Sequence, residues 1–111
     1  MNGQEWLDRS RIQLFEVFGR VNERSVQPLA AAINRALAED RPQVILDLSG
    51  VEYMNSAGLR TLADILTRNR ANGGDLLLVA PNPKVERVFK IIGFDKFFNT
   101  FDTVDLALAH F

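Results

Sequence analysis

The 111-residue sequence contains no cysteine, and its single histidine, His110, is the residue before the last. The absence of cysteine excludes disulfides, thiolate zinc sites and cysteine nucleophiles. One histidine in this position disfavours a histidine-ligated metal centre and a serine–histidine catalytic triad. We therefore predict no metal site, no cofactor and no catalytic residue, and the composition favours a binding or switch protein over an enzyme.

An excess of either charge and a long apolar run are also missing. Thirteen basic and 14 acidic residues give a net charge of −1, which disfavours nucleic-acid binding because such proteins need a basic surface. No stretch approaches the roughly 20 apolar residues of a membrane helix, and the first residues do not resemble a signal peptide. We expect a cytoplasmic protein without membrane insertion, folded as a single domain over residues 1–111.

Segments in which apolar residues recur with the period of a strand alternate along the chain with segments in which they recur with the period of a helix. We predict an α/β fold with a mostly parallel sheet and about four helices. Trp6–Leu7 is predicted to pair with the following strand as an N-terminal antiparallel hairpin. Ser25 is predicted to cap the first helix, Ser49–Gly50 to end the second main strand, and Phe97–Phe98 to form a short edge strand.

Ligands and partners of such sheets use the edge where the strands have their carboxyl ends. Three segments are expected to meet there, namely Gly19–Ser25, Ser49–Ser56 and Ala80–Pro83. The second is the most informative, because it places the Ser56 hydroxyl at the start of a helix, where free N–H groups and the helix dipole favour a phosphate. The alternative is that Asn55 or Ser56 only caps the helix, which contributes about 1 kcal/mol. Gly58, in the first turn, suggests close approach of another molecule.

Two motifs, Tyr53-Met-Asn-Ser-Ala-Gly-Leu59 and Gly19-Arg-Val-Asn22, carry a resemblance to a known family. The chain resembles the STAS family, and within it the small bacterial anti-sigma factor antagonists. The motif that begins at Tyr53 is similar to the family's phosphorylation motif, and the one that begins at Gly19 is similar to its first loop. Ile45-Leu-Asp-Leu48 and Asn72-Gly-Gly74 match in order and spacing. Asn22 and Asn55 depart from the pattern, because the family more often has aspartate there, and they lower the negative charge around Ser56.

The resemblance implies a phosphorylation-controlled switch without catalytic activity. The unphosphorylated protein is expected to bind an anti-sigma factor that is also a serine kinase, which frees a sigma factor for transcription. Phosphorylation at Ser56 ends this binding, and a metal-dependent serine phosphatase reverses it. The residues predicted to contact the partner are Asn22, Glu23, Arg24, Ser25, Met54, Asn55, Ser56, Ala57, Gly58, Leu59, Arg60 and Asn82.

Two other functions are compatible with the sequence. The chain could be a STAS subunit of a membrane-associated ABC-type transport complex that binds an ATPase without phosphorylation. An enzyme would have to rely on Ser56 and Asp47, and no general base lies near them in the sequence. A phosphate on Ser56 would change the net charge from −1 to roughly −2.5 to −3.

Overall fold

The computed structural model describes residues 12–111, so the predicted pairing of Trp6–Leu7 lies outside the described residues. Within them the elements follow in the order β1 (Ile12–Val21), α1 (Gln27–Ala38), β2 (Gln43–Met54), α2 (Ser56–Ala71), β3 (Asp75–Val79), α3 (Pro83–Ile92), β4 (Asn99–Phe101) and α4 (Val104–His110). All three strand pairs are parallel, and the sheet order is β1-β2-β3-β4. The predicted α/β class, parallel sheet and four helices are confirmed.

The helices cover the two faces of the sheet unequally. Right-handed connections between neighbouring parallel strands bring successive helices to the same face. Accordingly α1, α2 and α3 share one large core with the sheet, to which they contribute residues such as Ile33, Leu62 and Phe89. On the other face Ala107 of α4 packs against Ile45 in a smaller core. None of the helices in residues 12–111 is long and apolar enough to cross a membrane.

Strand β2 is longer than predicted, and the expectation that Ser49–Gly50 ends it is wrong. The strand continues because β1 goes on pairing with it, through Phe18 with Gly50 and finally through Val21 with Met54. The pairing includes a register shift between Glu16 and Phe18. A side chain at position 50 would overlap the Phe18 ring, so glycine suits this crossing. As a result, β2 delivers the start of α2 to the carboxyl end of β1.

The start of α1 also differs from the prediction. The helix begins at Gln27, its N-cap position is Val26, and no side chain caps it. The assignment of Ser25 as the cap is therefore wrong, because the Ser25 hydroxyl is used in the turn before the helix. Pro28 lies in the first turn of α1, where its missing N–H removes no intrahelical hydrogen bond.

The C-terminal third differs from the prediction in the position of its edge strand. Helix α3 ends at Ile92 and is capped by Gly93, which has the left-handed conformation with φ of 84°. Thr103 caps α4 by accepting a hydrogen bond from Leu106 N. The edge strand is Asn99–Phe101, so the placement at Phe97–Phe98 is wrong. Phe98 is instead 3 % exposed in the large core, where it stacks on Phe89.

Candidate functional site

The candidate site is built around the start of α2. Asn55 has extended backbone angles, and its Oδ1 accepts a hydrogen bond of 2.8 Å from the Gly58 N–H. Its own N–H donates to Val21 O at 2.9 Å, which ties the helix start to the end of β1. Of the two capping residues that the sequence left open, Asn55 is the cap, and Ser56 is the first residue of the helix.

The Ser56 side chain is exposed, and its hydroxyl makes no hydrogen bond to any residue in the range 12–111. It is therefore not consumed by a structural role in the described part of the chain. It lies at the positive end of a 16-residue helix, beside the small Ala57. Arg60 is exposed and lies four residues further on, on the same helix face. An anionic group on Ser56 would meet favourable charge from both the dipole and this guanidinium.

The segment Asn22–Ser25, here called the first loop, is fixed by its own side chains. Asn22 Oδ1 accepts hydrogen bonds from Arg24 N at 2.9 Å and from Ser25 N at 2.8 Å. In return, Ser25 Oγ accepts from Asn22 N at 2.9 Å and donates to Arg20 O at 2.8 Å. Asparagine and aspartate both supply the required Oδ1, so Asn22 is compatible with the aspartate that the family more often has there.

A side-chain hydrogen bond joins the first loop to the start of α2. Asn55 Nδ2 donates to Glu23 Oε2 at 2.9 Å, across 32 positions of sequence. This bond, together with a backbone hydrogen bond of Glu23 itself, lowers the pKa of the Glu23 carboxyl below its ordinary value of 4.5. Asn55 thus caps the helix with its oxygen and binds the Glu23 carboxylate with its nitrogen.

Asn82 brings the third segment to the same edge. Its Nδ2 donates to Val51 O at 2.9 Å and more weakly to Glu52 O at 3.4 Å, and its Oδ1 accepts from Val85 N at 2.9 Å. The carboxamide therefore fastens the start of α3 to the protruding end of β2. Asn82 supports the site, and we assign its side chain a positioning role.

The structure separates the twelve predicted partner-binding residues by exposure. Glu23, Arg24, Ser25, Ser56 and Arg60 are exposed, whereas Asn22, Asn55, Ala57 and Asn82 are half-buried. Met54 and Leu59 are each 0 % exposed, and Gly58 is buried. The prediction that these three contact a partner is corrected, because they face the core and support the site from beneath.

Gly58 has an internal reason for lacking a side chain. A Cβ there would lie 3.1 Å from Val21 Cγ1 and 3.2 Å from Val21 O. The close approach that the sequence suggested is thus made by the end of β1, which packs against the first turn of α2.

Sequence reasoning did not single out Tyr53 and Arg20, which extend the exposed surface. The Tyr53 side chain is 43 % exposed, and Arg20 Cζ lies 5.8 Å from the centre of its ring. Strand alternation was the available signal, because it turns Tyr53 away from the core that contains Met54. No group of three or more histidine, cysteine or acidic side chains in residues 12–111 is arranged to hold a metal ion.

Comparison with known proteins identifies the family. The STAS domain model matches residues 7–107, and the chain belongs to this family. The chain is similar to BtrV of Bordetella bronchiseptica, provisionally named an anti-sigma factor antagonist, with 32 % identity over 84 % of this chain and 80 % of that protein.

Two further similarities agree with this membership. RsfB of Mycobacterium tuberculosis, named an anti-sigma-F factor antagonist, is 27 % identical over 92 % of this chain and 83 % of its own. The crystal structure of TM1081 from Thermotoga maritima, which has the same provisional description as BtrV, superposes with a TM-score of 0.82. It is 26 % identical, over 90 % of this chain and 86 % of that one.

Proposed function

We propose that this protein is an anti-sigma factor antagonist controlled by phosphorylation of Ser56. In its unphosphorylated form it binds an anti-sigma factor with serine kinase activity, which frees a sigma factor for transcription. The kinase phosphorylates Ser56 and ends the interaction, and a metal-dependent serine phosphatase restores it. The observation that carries the proposal is the exposed Ser56 hydroxyl, which has no partner within residues 12–111 and lies at the start of α2.

Electrostatics explain how one modification could switch binding without unfolding the domain. A phosphate adds about −1.5 to −2 charges at neutral pH. The helix dipole and Arg60 accommodate that charge within the protein, whereas Glu23, held at the site by Asn55, is of like sign. The modified surface therefore presents a larger and more negative group to any partner that fits the free hydroxyl, while the core stays intact.

The choice of partner rests on the relatives. BtrV and RsfB are named for antagonism of anti-sigma factors, and the similarity to each extends over most of this chain. By the same reasoning the chain acts as a kinase substrate and performs no catalysis of its own. The kinase supplies the ATP site and the catalytic groups.

The test is a phosphorylation assay with the anti-sigma factor kinase encoded in the same genome, ATP and magnesium. We expect mass spectrometry to find one added phosphoryl group on Ser56. The Ser56→Ala variant should accept none. Ser49→Ala, which removes an exposed hydroxyl from β2, should be modified like the wild type.

Three results together would replace the proposal with the transport-complex alternative. The chain would never be phosphorylated, it would co-purify with a transporter ATPase, and its Ser56→Asp variant would bind that ATPase as well as the wild type does. A chain that binds its anti-sigma factor but is modified at a different residue would keep the partner and overturn the role of Ser56.

A further inference from the structure

A groove of about 410 Å³ lies beside the protruding end of β2, outside the predicted site residues. Its lining residues come from the end of strand β2 and from the first two turns of α3. They are Tyr53, Pro83, Lys84, Arg87 and Val88. The groove exists because β2 runs past β3, whose last residue, Val79, pairs with Asp47. Helix α3 then packs along the part of β2 that pairs with β1 but extends beyond β3.

The walls of this groove are held in place by hydrogen bonds. Asn82, the N-cap of α3, donates to Val51 O at 2.9 Å and accepts from Val85 N at 2.9 Å. Val85 itself is 0 % exposed in the large core. The first turn of α3 is thus fastened both to the strand and to the interior, so the groove is a preformed feature of the surface.

The lining combines apolar surface with positive charge. Tyr53 is 43 % exposed, and Val88 is half-buried beside it. Lys84 and Arg87 are exposed, and neither forms an ion pair with any residue in 12–111. No carboxylate is among the lining residues. Ile91, which is 76 % exposed, continues this side of α3 by one more turn.

The acidic residue of α3 faces elsewhere. Glu86 lines a separate depression on the other flank of the helix, together with Lys90 and Asp95. The flank that borders Tyr53 therefore carries two cations that are not neutralised by their own helix. An uncompensated pair of cations beside an aromatic ring matches a ligand that combines negative charge with an apolar group.

The groove lies near the candidate site. Tyr53 precedes Ser56 by three residues, so their Cα atoms are at most about 11 Å apart. Arg20 lies over the Tyr53 ring and extends the positive surface towards the first loop. A protein bound at Ser56 with an interface of standard size would reach this groove as well.

We propose that the groove docks an acidic segment of the partner protein, in which carboxylates flank an apolar side chain. The apolar side chain lies against Tyr53 and Val88, and the carboxylates pair with Lys84 and Arg87. The identity of the partner rests on the proposed function, whereas the chemistry of the segment follows from the groove itself.

The chemistry can be tested without the partner. The probe is a synthetic peptide of alternating leucine and glutamate, titrated into the ¹⁵N-labelled full chain, with a leucine–lysine peptide of equal length as its control. We expect amide shifts at Tyr53, Lys84 and Val88 with the acidic peptide, and their loss in the Lys84→Glu/Arg87→Glu variant. Equal shifts with both peptides, or shifts confined to other surfaces, would overturn the proposal.

The second measurement is the Kd for the anti-sigma factor used in the phosphorylation assay. Reversing both groove cations should weaken binding by about tenfold or more, and the loss should shrink as salt is added. Reversing Arg68 and Lys90, which are exposed outside the groove, should change the Kd less than about threefold. Lys84 lies in the first turn of α3, where the helix dipole favours an acidic residue, and Arg87 is exposed, so the variant is expected to fold.

The outcomes separate this inference from the proposed function. If Lys84→Glu/Arg87→Glu binds like the wild type while Ser56→Asp does not bind, the groove proposal is wrong and the switch stands. If the wild type does not bind the anti-sigma factor, the proposed function is wrong, and the peptide titration still decides whether the groove takes an acidic segment.

Discussion

The Asn55 carboxamide connects the start of α2 to Glu23 in the first loop through a hydrogen bond of 2.9 Å. Its oxygen meanwhile caps the helix by accepting from Gly58 N at 2.8 Å. An aspartate at position 55 could accept the capping hydrogen bond from Gly58 N, but it would place a second carboxylate against that of Glu23. The two residues therefore depend on each other, and together they set the charge beside Ser56.

The first prediction concerns the titration of Glu23. Because Asn55 lowers its pKa, the bond stabilises the fold at pH values above the ordinary pKa of 4.5 and is lost as the pH falls through the lowered value. Replacing Asn55 by alanine should raise the Glu23 pKa towards 4.5. The loss of the cap should also reduce the free energy of unfolding by about 1 kcal/mol. A pH titration followed by NMR measures the first effect, and urea unfolding measures the second.

A paired variant serves as the control for this prediction. Asn55→Asp should raise the pKa of Glu23 further, because it retains the cap and adds a like charge. Introducing Glu23→Gln together with Asn55→Asp should remove the repulsion between the carboxylates at positions 23 and 55. An unchanged Glu23 pKa in both Asn55 variants would contradict the proposed link between the loop and the helix.

The second prediction concerns Asn22. Alanine at this position should remove both hydrogen bonds to the first-loop amides and destabilise the domain by about 1 to 2 kcal/mol. Aspartate keeps the acceptor and should change the free energy of unfolding by no more than about 0.5 kcal/mol. Equal losses for the two variants in urea unfolding would mean that the oxygen of Asn22 does not organise the loop.

The third prediction concerns Gly58. Alanine is the better helix former by up to about 1 kcal/mol, but here its Cβ would press on Val21 O. That oxygen cannot easily move, because it accepts the hydrogen bond from Asn55 N. We expect Gly58→Ala to lower the free energy of unfolding by about 1 kcal/mol and Gly58→Ser to lower it further. A stabilised Gly58→Ala variant would show that the contact with β1 is loose.

The fourth prediction compares two neighbouring glycines after α2. A Cβ at Gly74 would overlap the backbone of Pro42, whereas a Cβ at Gly73 would meet nothing within 4 Å. Gly74→Ala should therefore cost about 2 to 3 kcal/mol. Gly73→Ala should cost only the left-handed backbone penalty of about 1 to 2 kcal/mol, because its φ is 83°. Thermal unfolding of both variants measures which substitution destabilises the domain more. A larger loss for Gly73→Ala than for Gly74→Ala would contradict the packing against Pro42.

The sequence predicted the fold class because its periodicities and helix caps act over short distances. Pro83, Gly93 and Thr103 lie at helix ends for reasons that involve only neighbouring residues. The prediction that the strand ends at Gly50 failed, because the place of Gly50 inside β2 depends on pairing with Phe18, more than 30 residues away. The prediction for Ser25 failed for a different, local reason, because its hydroxyl donates to Arg20 O and accepts from Asn22 N before the helix begins.

The position of the candidate site could be predicted from the sequence, whereas the roles of several of its residues could not. The motif around Ser56 located the start of α2, and strand order indicated which loops lie near it. The burial of Met54 and the bond between Asn55 and Glu23 could not be read from spacing, because both depend on how β1 and β2 meet. Tyr53 begins the quoted motif but was not predicted as a site residue, because its place in the groove depends on Lys84 and Arg87, which α3 brings beside it.

The most direct measurement is the Kd for the anti-sigma factor before and after phosphorylation of Ser56, obtained by isothermal titration calorimetry. We predict tight binding by the unmodified chain and a loss of at least about 100-fold on phosphorylation, because a dianion enters the interface. Ser56→Asp should reproduce much of this loss, and Ser49→Asp should not. Equal affinities for the phosphorylated and unphosphorylated chains would contradict the switch.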